Sequence, residues 1–196
     1  MEISKVAFLG FADCKPDDWE YDQAFQSAKV LAENGYVIVN GGGPGIMRAA
    51  TEGAHAGHGK AVGITFYPER KEGAEFFEGR DPDNHFDEEM KTTTYVERTL
   101  KIMDVADVYL IFNGGTGTIS EFGMAWGLAR LHFGHHKPLM LYGHFWHEVI
   151  EAIGKNMRLR AEELKVYHIV TSPEEVLLKI KSLEASSEHS YLRTKT

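Results

Sequence analysis

The sequence predicts an α/β fold of the Rossmann-like type, in which helices cover both faces of a doubly wound parallel sheet. Short apolar runs alternate with helical patterns along nearly the whole chain, an order typical of βαβ units. Two glycine-rich turns each lie between an apolar run and a helical pattern. The 196 residues, 43% of them hydrophobic, suit one domain with a sizeable core.

The first third of the chain predicts three strands and two helices. Apolar runs place the strands at Val6–Phe11, Tyr36–Val39 and Ala61–Phe66. One helix is expected from Asp18 to Asn34, where Asn34-Gly35 ends it, and another from Ile46 to Gly57. The first helix carries its small and apolar residues on one face, at Ala24, Ala28, Leu31 and Ala32.

A polar and acidic stretch, Tyr67–Met90, follows the third strand. Structureless connections of that length are uncommon, so we expect either a mobile segment or a lid over a site. After it, Thr92–Val96 is rich in β-branched residues and predicts a strand, and Glu97–Val105 predicts a helix.

The rest of the chain continues the alternation. Strands are expected at Val105–Phe112, Lys137–Tyr142 and Val166–Val170, and a helix at Phe145–Met157. Another helix is indicated by an apolar stripe of Ile119, Phe122, Trp126, Ala129 and Phe133. Ser172 to Glu175 has the form of a capping box with Pro173 at the first helical position. We assign residues 1–184 to one domain and 185–196 to a polar C-terminal tail that we expect to fray.

Composition excludes several classes of protein. A net charge of −8 argues against broad nucleic-acid binding, which needs basic surfaces. Cys14 is the single cysteine, which rules out an internal disulfide and fits a reducing cytoplasm. The N-terminal residues do not form a secretion signal, and no apolar run approaches the roughly 20 residues of a membrane span. We therefore expect a cytoplasmic protein that binds neither nucleic acid nor membranes.

The glycine turn at residues 113–118 predicts an anion site. It joins a strand to a helix, where unpaired backbone N–H groups and the helix dipole attract phosphate. Glu121 is expected in the first helical turn beside that anion. A carboxylate there repels a phosphate, so chemistry on the neighbouring part of the ligand explains it better. The alternative is that Glu121 only complements the helix dipole.

A second glycine turn has the same layout, since residues 40–45 also join a strand to a helix. Turns at the ends of two parallel strands suggest one ligand held between them. The glycine-turn residues predicted to bind it are Gly42, Gly43, Gly45, Gly114, Gly115, Thr116, Gly117 and Thr118. Either turn alone is also compatible with a tight connection that binds nothing.

Three segments together, Gly41–Met47, Glu97-Arg98 and Gly114–Glu121, resemble the Lonely Guy (LOG) phosphoribohydrolases, a family long labelled as lysine decarboxylases. The hallmark of that family is a Gly-Gly-x-Gly-Thr-x-x-Glu turn with an arginine on the preceding helix. The resemblance extends from Lys5 to about Leu183. It implies a Rossmann-like homodimer or higher homo-oligomer that hydrolyses a nucleoside 5′-monophosphate to free base and ribose 5-phosphate. Cytokinin nucleotides or AMP are the implied substrates.

By position, the resemblance implies that Arg98 and Glu121 form the catalytic pair. It also implies a phosphate site at Gly114–Thr118 and places Met47 in the base pocket. Glu121 would stabilise positive charge on the sugar or activate water, and Arg98 would grip the substrate. Such a step needs neither a metal nor a cofactor.

Three positions depart from the family pattern. Thr99 stands where the family usually has lysine, Asn113 where it has proline, and Phe11 where many members have serine. These differences leave the catalytic pair intact and make the identity of the substrate an open question.

Other interpretations remain open at this point. Arg98 could instead form a surface ion pair with Glu97 or Asp104. The whole protein could be a non-catalytic nucleotide-binding protein or a molybdenum-cofactor carrier of the same fold. A nicotinamide-dependent oxidoreductase is disfavoured because neither turn has the Gly-x-Gly-x-x-Gly pattern. The histidines near residues 55 and 132 lack an evident third metal ligand, so we predict no metal site.

Overall fold

The computed structural model describes residues 3–67 and 79–193, with the backbone alone described for residues 187–193. Its strands are β1 (Lys5–Leu9), β2 (Val37–Asn40), β3 (Ala61–Phe66), β4 (Glu88–Thr92), β5 (Val108–Ile111), β6 (Leu139–Tyr142) and β7 (Tyr167–Val170). Its helices are α1 (Trp19–Glu33), α2 (Ile46–Ala56), α3 (Tyr95–Val105), α4 (Thr116–Leu131), α5 (Phe145–Asn156) and α6 (Pro173–Arg193), with a short 3-10 turn at Glu163–Lys165.

The described strands form one sheet in the order β4-β3-β2-β1-β5-β6-β7, and every neighbouring pair is parallel. The chain winds outwards from β1 to β4 and then returns to place β5 on the other side of β1. Connections from β1 and β5 therefore leave in different directions, which opens a crevice at their carboxyl ends. The predicted Rossmann-like, doubly wound fold is confirmed.

Helices cover both faces of the sheet, as predicted. Helices α1, α2 and α6 pack on one face through residues such as Leu31, Ile46 and Ile180. Helices α3, α4 and α5 pack on the other through residues such as Ile102 and Phe122. The central strands are buried on both sides, which explains their near-continuous apolar sequences.

The fourth strand is where the prediction fails. The expected strand at Thr92–Val96 is wrong, because β4 occupies Glu88–Thr92 and α3 already begins at Tyr95. β4 is an edge strand that pairs only with β3 among the described strands, and only Thr92 of its residues is buried. Its sequence, EEMKT, therefore lacks an apolar signal. The β-branched residue Thr94 is instead the N-cap of α3.

The apolar stripe predicted for α4 is wrong in part. Phe122 and Ala129 are buried, but Ile119 is 60% exposed and Phe133 is 48% exposed. The buried face of the helix includes two polar residues, Thr118 and Glu121. Hydrophobic spacing misses this because the inward face of the first turns borders a cleft instead of the core.

Three further observations concern the predicted C-terminal tail, the predicted lid and membrane spans. Helix α6 continues to Arg193, so the polar tail predicted from residue 185 begins within a helix in the backbone described. Residues 68–78 of the predicted lid, Tyr67–Met90, lie outside the described residues, and the end of the segment, from Glu88, belongs to β4. Among the helices that are described, none is long and apolar enough to cross a membrane.

Candidate functional site

A cleft of about 480 Å³ lies at the crevice between β1 and β5. Its walls come from residues 9–13 after β1, residues 43, 44 and 47 of the first glycine turn and α2, and residues 79–82. Residues 115–118 of the second glycine turn, with Arg98 and Glu121, complete it. Both glycine turns and both residues of the predicted catalytic pair therefore border one cavity.

Arg98 and Glu121 form a buried pair in this cleft. Each residue is 6% exposed, and Nη2 of Arg98 lies 3.9 Å from Oε1 of Glu121. That separation is longer than a hydrogen bond, so the attraction between the two groups is electrostatic. The alternative of a surface ion pair between Arg98 and Glu97 or Asp104 is wrong, because Arg98 is buried and its acidic partner is Glu121. Asp104 pairs with Lys101, and Glu97 accepts hydrogen bonds from Thr93.

Two aromatic rings hold the Arg98 guanidinium. Its Cζ lies 5.0 Å from the Phe66 ring centroid and 4.9 Å from that of Tyr95, distances at which cation–π attraction is effective. The buried Nε atom of Arg98 has no hydrogen-bond partner within the residues described. A buried donor without a partner is costly, so this atom has hydrogen-bonding capacity that a ligand can use.

Glu121 lies in the second turn of α4, because the helix begins at Thr116. The expectation that it lies in the first turn is wrong. The field of a helix terminus falls off within that first turn, so complementing the dipole does not account for a carboxylate at this depth.

The second glycine turn opens α4 without a side-chain cap. Gly115 is the N-cap residue, and the first turn of the helix carries no acidic residue. A Cβ on Gly115 would have no other atom within 4 Å. Within the described chain, nothing accepts a hydrogen bond from the N–H groups of residues 115–118, and the first helical bond runs from Ile119 N to Gly115 O at 3.0 Å. Four unpaired donors at a helix N-terminus attract an anion.

Hydrogen bonds from Asp81 and Asn84, which are distant in sequence, hold the first glycine turn in place. Asp81 N–H donates to Gly42 O at 2.9 Å, and the fully buried Asn84 donates through Nδ2 to Gly43 O at 2.8 Å. Asp81 in turn lies 3.4 Å from Nη1 of Arg48 on α2. These contacts give the turn its shape.

The predicted binding residues fall into two groups. Gly43, Met47, Gly115, Thr116, Gly117 and Thr118 line the cleft. Gly42, Gly45 and Gly114 do not line it and instead allow the turns to form. Gly42 and Gly45 have φ angles of +71° and +62°, and a Cβ on Gly45 would overlap the Phe11 carbonyl oxygen. A Cβ on Gly114 would overlap Thr118 Oγ1.

Sequence reasoning missed two walls of the cleft. One is the loop of Phe11, Ala12 and Asp13 after β1. Its signal in the sequence is Phe11 itself, which stands where many LOG proteins have serine.

The other wall is Gly79–Pro82, which includes Arg80. Arg80 lies over the Phe86 ring at 5.0 Å and 3.6 Å from Glu89. No local pattern announces this second wall, because its contacts with the glycine turn span about forty residues of sequence.

Comparison with known proteins gives the family. Residues 4–172 match the SLOG cluster4 family. The chain belongs to this family. An uncharacterized protein from Archaeoglobus fulgidus is 31% identical over 126 residues, covering 64% of this chain and 75% of the relative.

Proteins of known structure share the fold of this SLOG cluster4 protein. The molybdenum cofactor binding protein of Rippkaea orientalis has a TM-score of 0.66 at 22% identity, covering 93% of this chain and 98% of that one. The molybdenum cofactor carrier protein of Chlamydomonas reinhardtii has a TM-score of 0.65 at 18% identity, covering 94% and 99%. At these identities the similarity establishes the fold.

The described residues contain no group of three or more His, Cys, Asp or Glu side chains placed to hold a metal ion. The histidines singled out in the sequence therefore do not converge in this part of the chain.

Proposed function

We propose that this SLOG cluster4 protein hydrolyses the N-glycosidic bond of a nucleoside 5′-monophosphate, a LOG-type activity, to release the base and ribose 5-phosphate. Cytokinin riboside 5′-monophosphates and AMP are the proposed substrates. The observation that carries the proposal is the buried Arg98–Glu121 pair beside an uncapped helix N-terminus. An anion site alone has no use for a buried carboxylate at its edge.

The phosphate is proposed to bind at the start of α4. The unpaired N–H groups of residues 115–118 and the hydroxyls of Thr116 and Thr118 supply donors. Fixing the phosphate also fixes the sugar, so binding energy far from the scissile bond helps to position the reacting atoms.

In the chemical step, water adds to C1′ as the bond from C1′ to the base nitrogen breaks. The bonding electrons leave with the base, which takes up a proton, and positive charge builds on the sugar. Glu121 is proposed to stabilise that charge and accept a proton from the attacking water. Arg98 is proposed to hold the substrate through its planar guanidinium, which Phe66 and Tyr95 keep in place.

The test is release of free base from a panel of nucleoside 5′-monophosphates that includes N6-isopentenyl-AMP and AMP. We expect Glu121→Gln to lower kcat at least about 100-fold while nucleotide binding persists, since the change removes the charge and keeps the shape. We expect Arg98→Ala to raise KM and lower kcat, by about 10-fold or more in kcat/KM.

Matched controls are available outside the cleft. Glu148→Gln neutralises an exposed carboxylate on α5, and Lys101→Ala removes an exposed cation from α3. Both should release base at the parent rate. Base release by Glu121→Gln at the parent rate would remove Glu121 from the mechanism.

A second candidate is a non-catalytic carrier of molybdenum cofactor. The similarity to a cofactor binding protein and a cofactor carrier over more than nine-tenths of each chain favours it. The fit with this cleft is partial: residues 115–118 could hold the phosphate of that cofactor, but the carboxylate of Glu121 would face an anionic ligand. The near-ultraviolet absorption of the purified protein separates the two candidates, because a bound pterin absorbs there and the hydrolase carries no chromophore of that kind.

A further inference from the structure

The loop after β1 presents an aromatic ring to the cleft. Phe11 lines the cavity, and 46% of its surface is exposed. Two other phenylalanines nearby in the fold, Phe8 and Phe112, are buried in the core, where they stack with their ring centroids 5.8 Å apart. Phe11 has no such ring partner within the described residues. The ring therefore offers apolar surface that a ligand in the cleft can cover.

The backbone, and not the ring, holds Phe11 in place. Its N–H donates to Asn113 O at 2.9 Å, and its carbonyl accepts from Ile46 N at 3.1 Å. Phe11 is thus bonded to both glycine-turn regions, one after β5 and one before α2. The close approach of Gly45 to the Phe11 carbonyl fixes the same junction. The backbone of Phe11 is therefore fixed before a ligand binds, and only the two rotatable bonds of its side chain remain to be ordered.

The surroundings of Phe11 make the cleft amphipathic. Ala12, Pro44 and Met47 also line it and add apolar surface, while residues 115–118 offer polar donors. A ligand that uses both needs an anionic group and a flat apolar group in one molecule. A nucleoside 5′-monophosphate has both, in its phosphate and its base.

We propose that Phe11 determines specificity by stacking its ring on the base of the bound nucleotide. The inference rests on the proposed function, because it names the part of that substrate which Phe11 contacts. Stacking of a base on an aromatic side chain tolerates any base but grows with the area of the ring system. Phe11 therefore favours purine over pyrimidine nucleotides.

The experiment measures dissociation constants for AMP and for ribose 5-phosphate by calorimetry, using Glu121→Gln protein so that no substrate is consumed. Adding Phe11→Ala should weaken AMP binding by about 10-fold, within a range of about 5- to 100-fold. The dissociation constant for ribose 5-phosphate should change less than about twofold, because that ligand has no base. Phe11→Tyr, which keeps an aromatic face, should bind AMP as tightly as the Glu121→Gln protein without a change at Phe11.

A matched control is Phe133→Ala, which removes another half-exposed phenyl ring that does not line the cleft. It should leave both dissociation constants unchanged. Unchanged AMP binding by Phe11→Ala would overturn the proposal, as would an equal loss for both ligands, which would indicate a role in loop structure. Parent protein that binds AMP no more tightly than ribose 5-phosphate would overturn it as well.

The stacking role of Phe11 and the proposed hydrolysis can fail separately. Base release by the wild-type protein with an unchanged preference for AMP over UMP in Phe11→Ala would reject only the stacking role. Absence of base release, together with a selective loss of AMP binding in Phe11→Ala, would reject hydrolysis and keep Phe11 as the base-binding residue.

Discussion

The N-termini of α3 and α4 contribute to one site but are completed in different ways. At α3, Thr94 Oγ1 accepts a hydrogen bond from Glu97 N–H, and the Glu97 carboxylate accepts from Thr93 N–H at 2.8 Å. At α4, Gly115 offers no side chain to cap the helix. The chain thus caps α3 with its own side chains and leaves the N-terminus of α4 open to an outside anion.

The contrast extends to two other helices. α6 is capped like α3, with Glu175 N–H donating to Ser172 Oγ at 3.2 Å. α2 begins like α4, at a glycine without a side-chain cap, and it also faces the cleft. α1 and α5 lack side-chain caps too, so a missing cap does not mark a site by itself. The site is indicated by glycine turns, a cleft and the Arg98–Glu121 pair occurring together.

The largest expected effect comes from giving α4 a cap of its own. Gly115 has an extended backbone, with φ −87° and ψ −154°, and space for a Cβ. Gly115→Asp should stabilise the ligand-free protein slightly, by roughly 0.3 kcal/mol, because glycine is already a tolerated N-cap residue. It should also weaken binding of ribose 5-phosphate about 100-fold or more, because the carboxylate repels the phosphate at close range. Thermal unfolding and calorimetry measure the two changes.

Gly115→Asn separates capping from charge. It offers the same hydrogen bond without a negative charge, so it should stabilise the helix and weaken phosphate binding less than aspartate does. Undiminished phosphate binding by Gly115→Asp would contradict the assignment of the anion to this helix terminus.

A smaller effect is expected at α3. Hydrogen bonds from the backbone and side chain of Thr93 hold the pKa of Glu97 below its ordinary value of 4.5. The stability that the carboxylate contributes is therefore present above that ordinary pKa and is lost as the pH falls through the lowered pKa. Glu97→Gln should lower Tm slightly at pH 7, and the gap to the parent should close in acid.

Glu97→Gln should change stability without changing ligand binding. The affinity for ribose 5-phosphate should stay at the parent value in Glu97→Gln, because the cap of α3 is internal to the chain. A Tm gap that widened below pH 4.5 would show that the charge of Glu97 does not act as described.

The smallest effect is expected at Cys14, close in sequence to the cleft loop. Burial raises the pKa of the Cys14 thiol to about 11, and the charges of Asp18 and Glu20 add to the shift. The positive potential at the start of α4 therefore does not activate this thiol. Iodoacetamide at pH 8 should leave Cys14 unlabelled in the folded protein and label it in guanidinium chloride, as mass spectrometry would show. Rapid labelling of the folded protein would mean that the thiol is accessible and ionised.

The fold was largely predictable because most elements combine an apolar pattern with a clear boundary signal. The strand Ala61–Phe66 has the predicted bounds, and Gly35, with φ +87°, follows α1 where Asn34-Gly35 predicted its end. β4 was not predictable, since an edge strand of charged residues resembles a loop in sequence.

The candidate site was predictable in part. The glycine turns and the Arg98–Glu121 pair meet in one cleft because parallel strands present their carboxyl ends at the same edge. The wall at Gly79–Pro82 was not predictable, because Asp81 and Asn84 act through hydrogen bonds to a turn distant in sequence. The exposed ring of Phe11 had only its unusual position after the first strand as a signal.

The most direct measurement of the central claim is product analysis with the wild-type protein and AMP. Chromatography of the reaction mixture should show adenine and ribose 5-phosphate in equal amounts, with no inorganic phosphate released. That result would mean that the bond from C1′ to the base was cleaved while the phosphate stayed on the sugar. Intact AMP, or adenosine with free phosphate, would contradict the account.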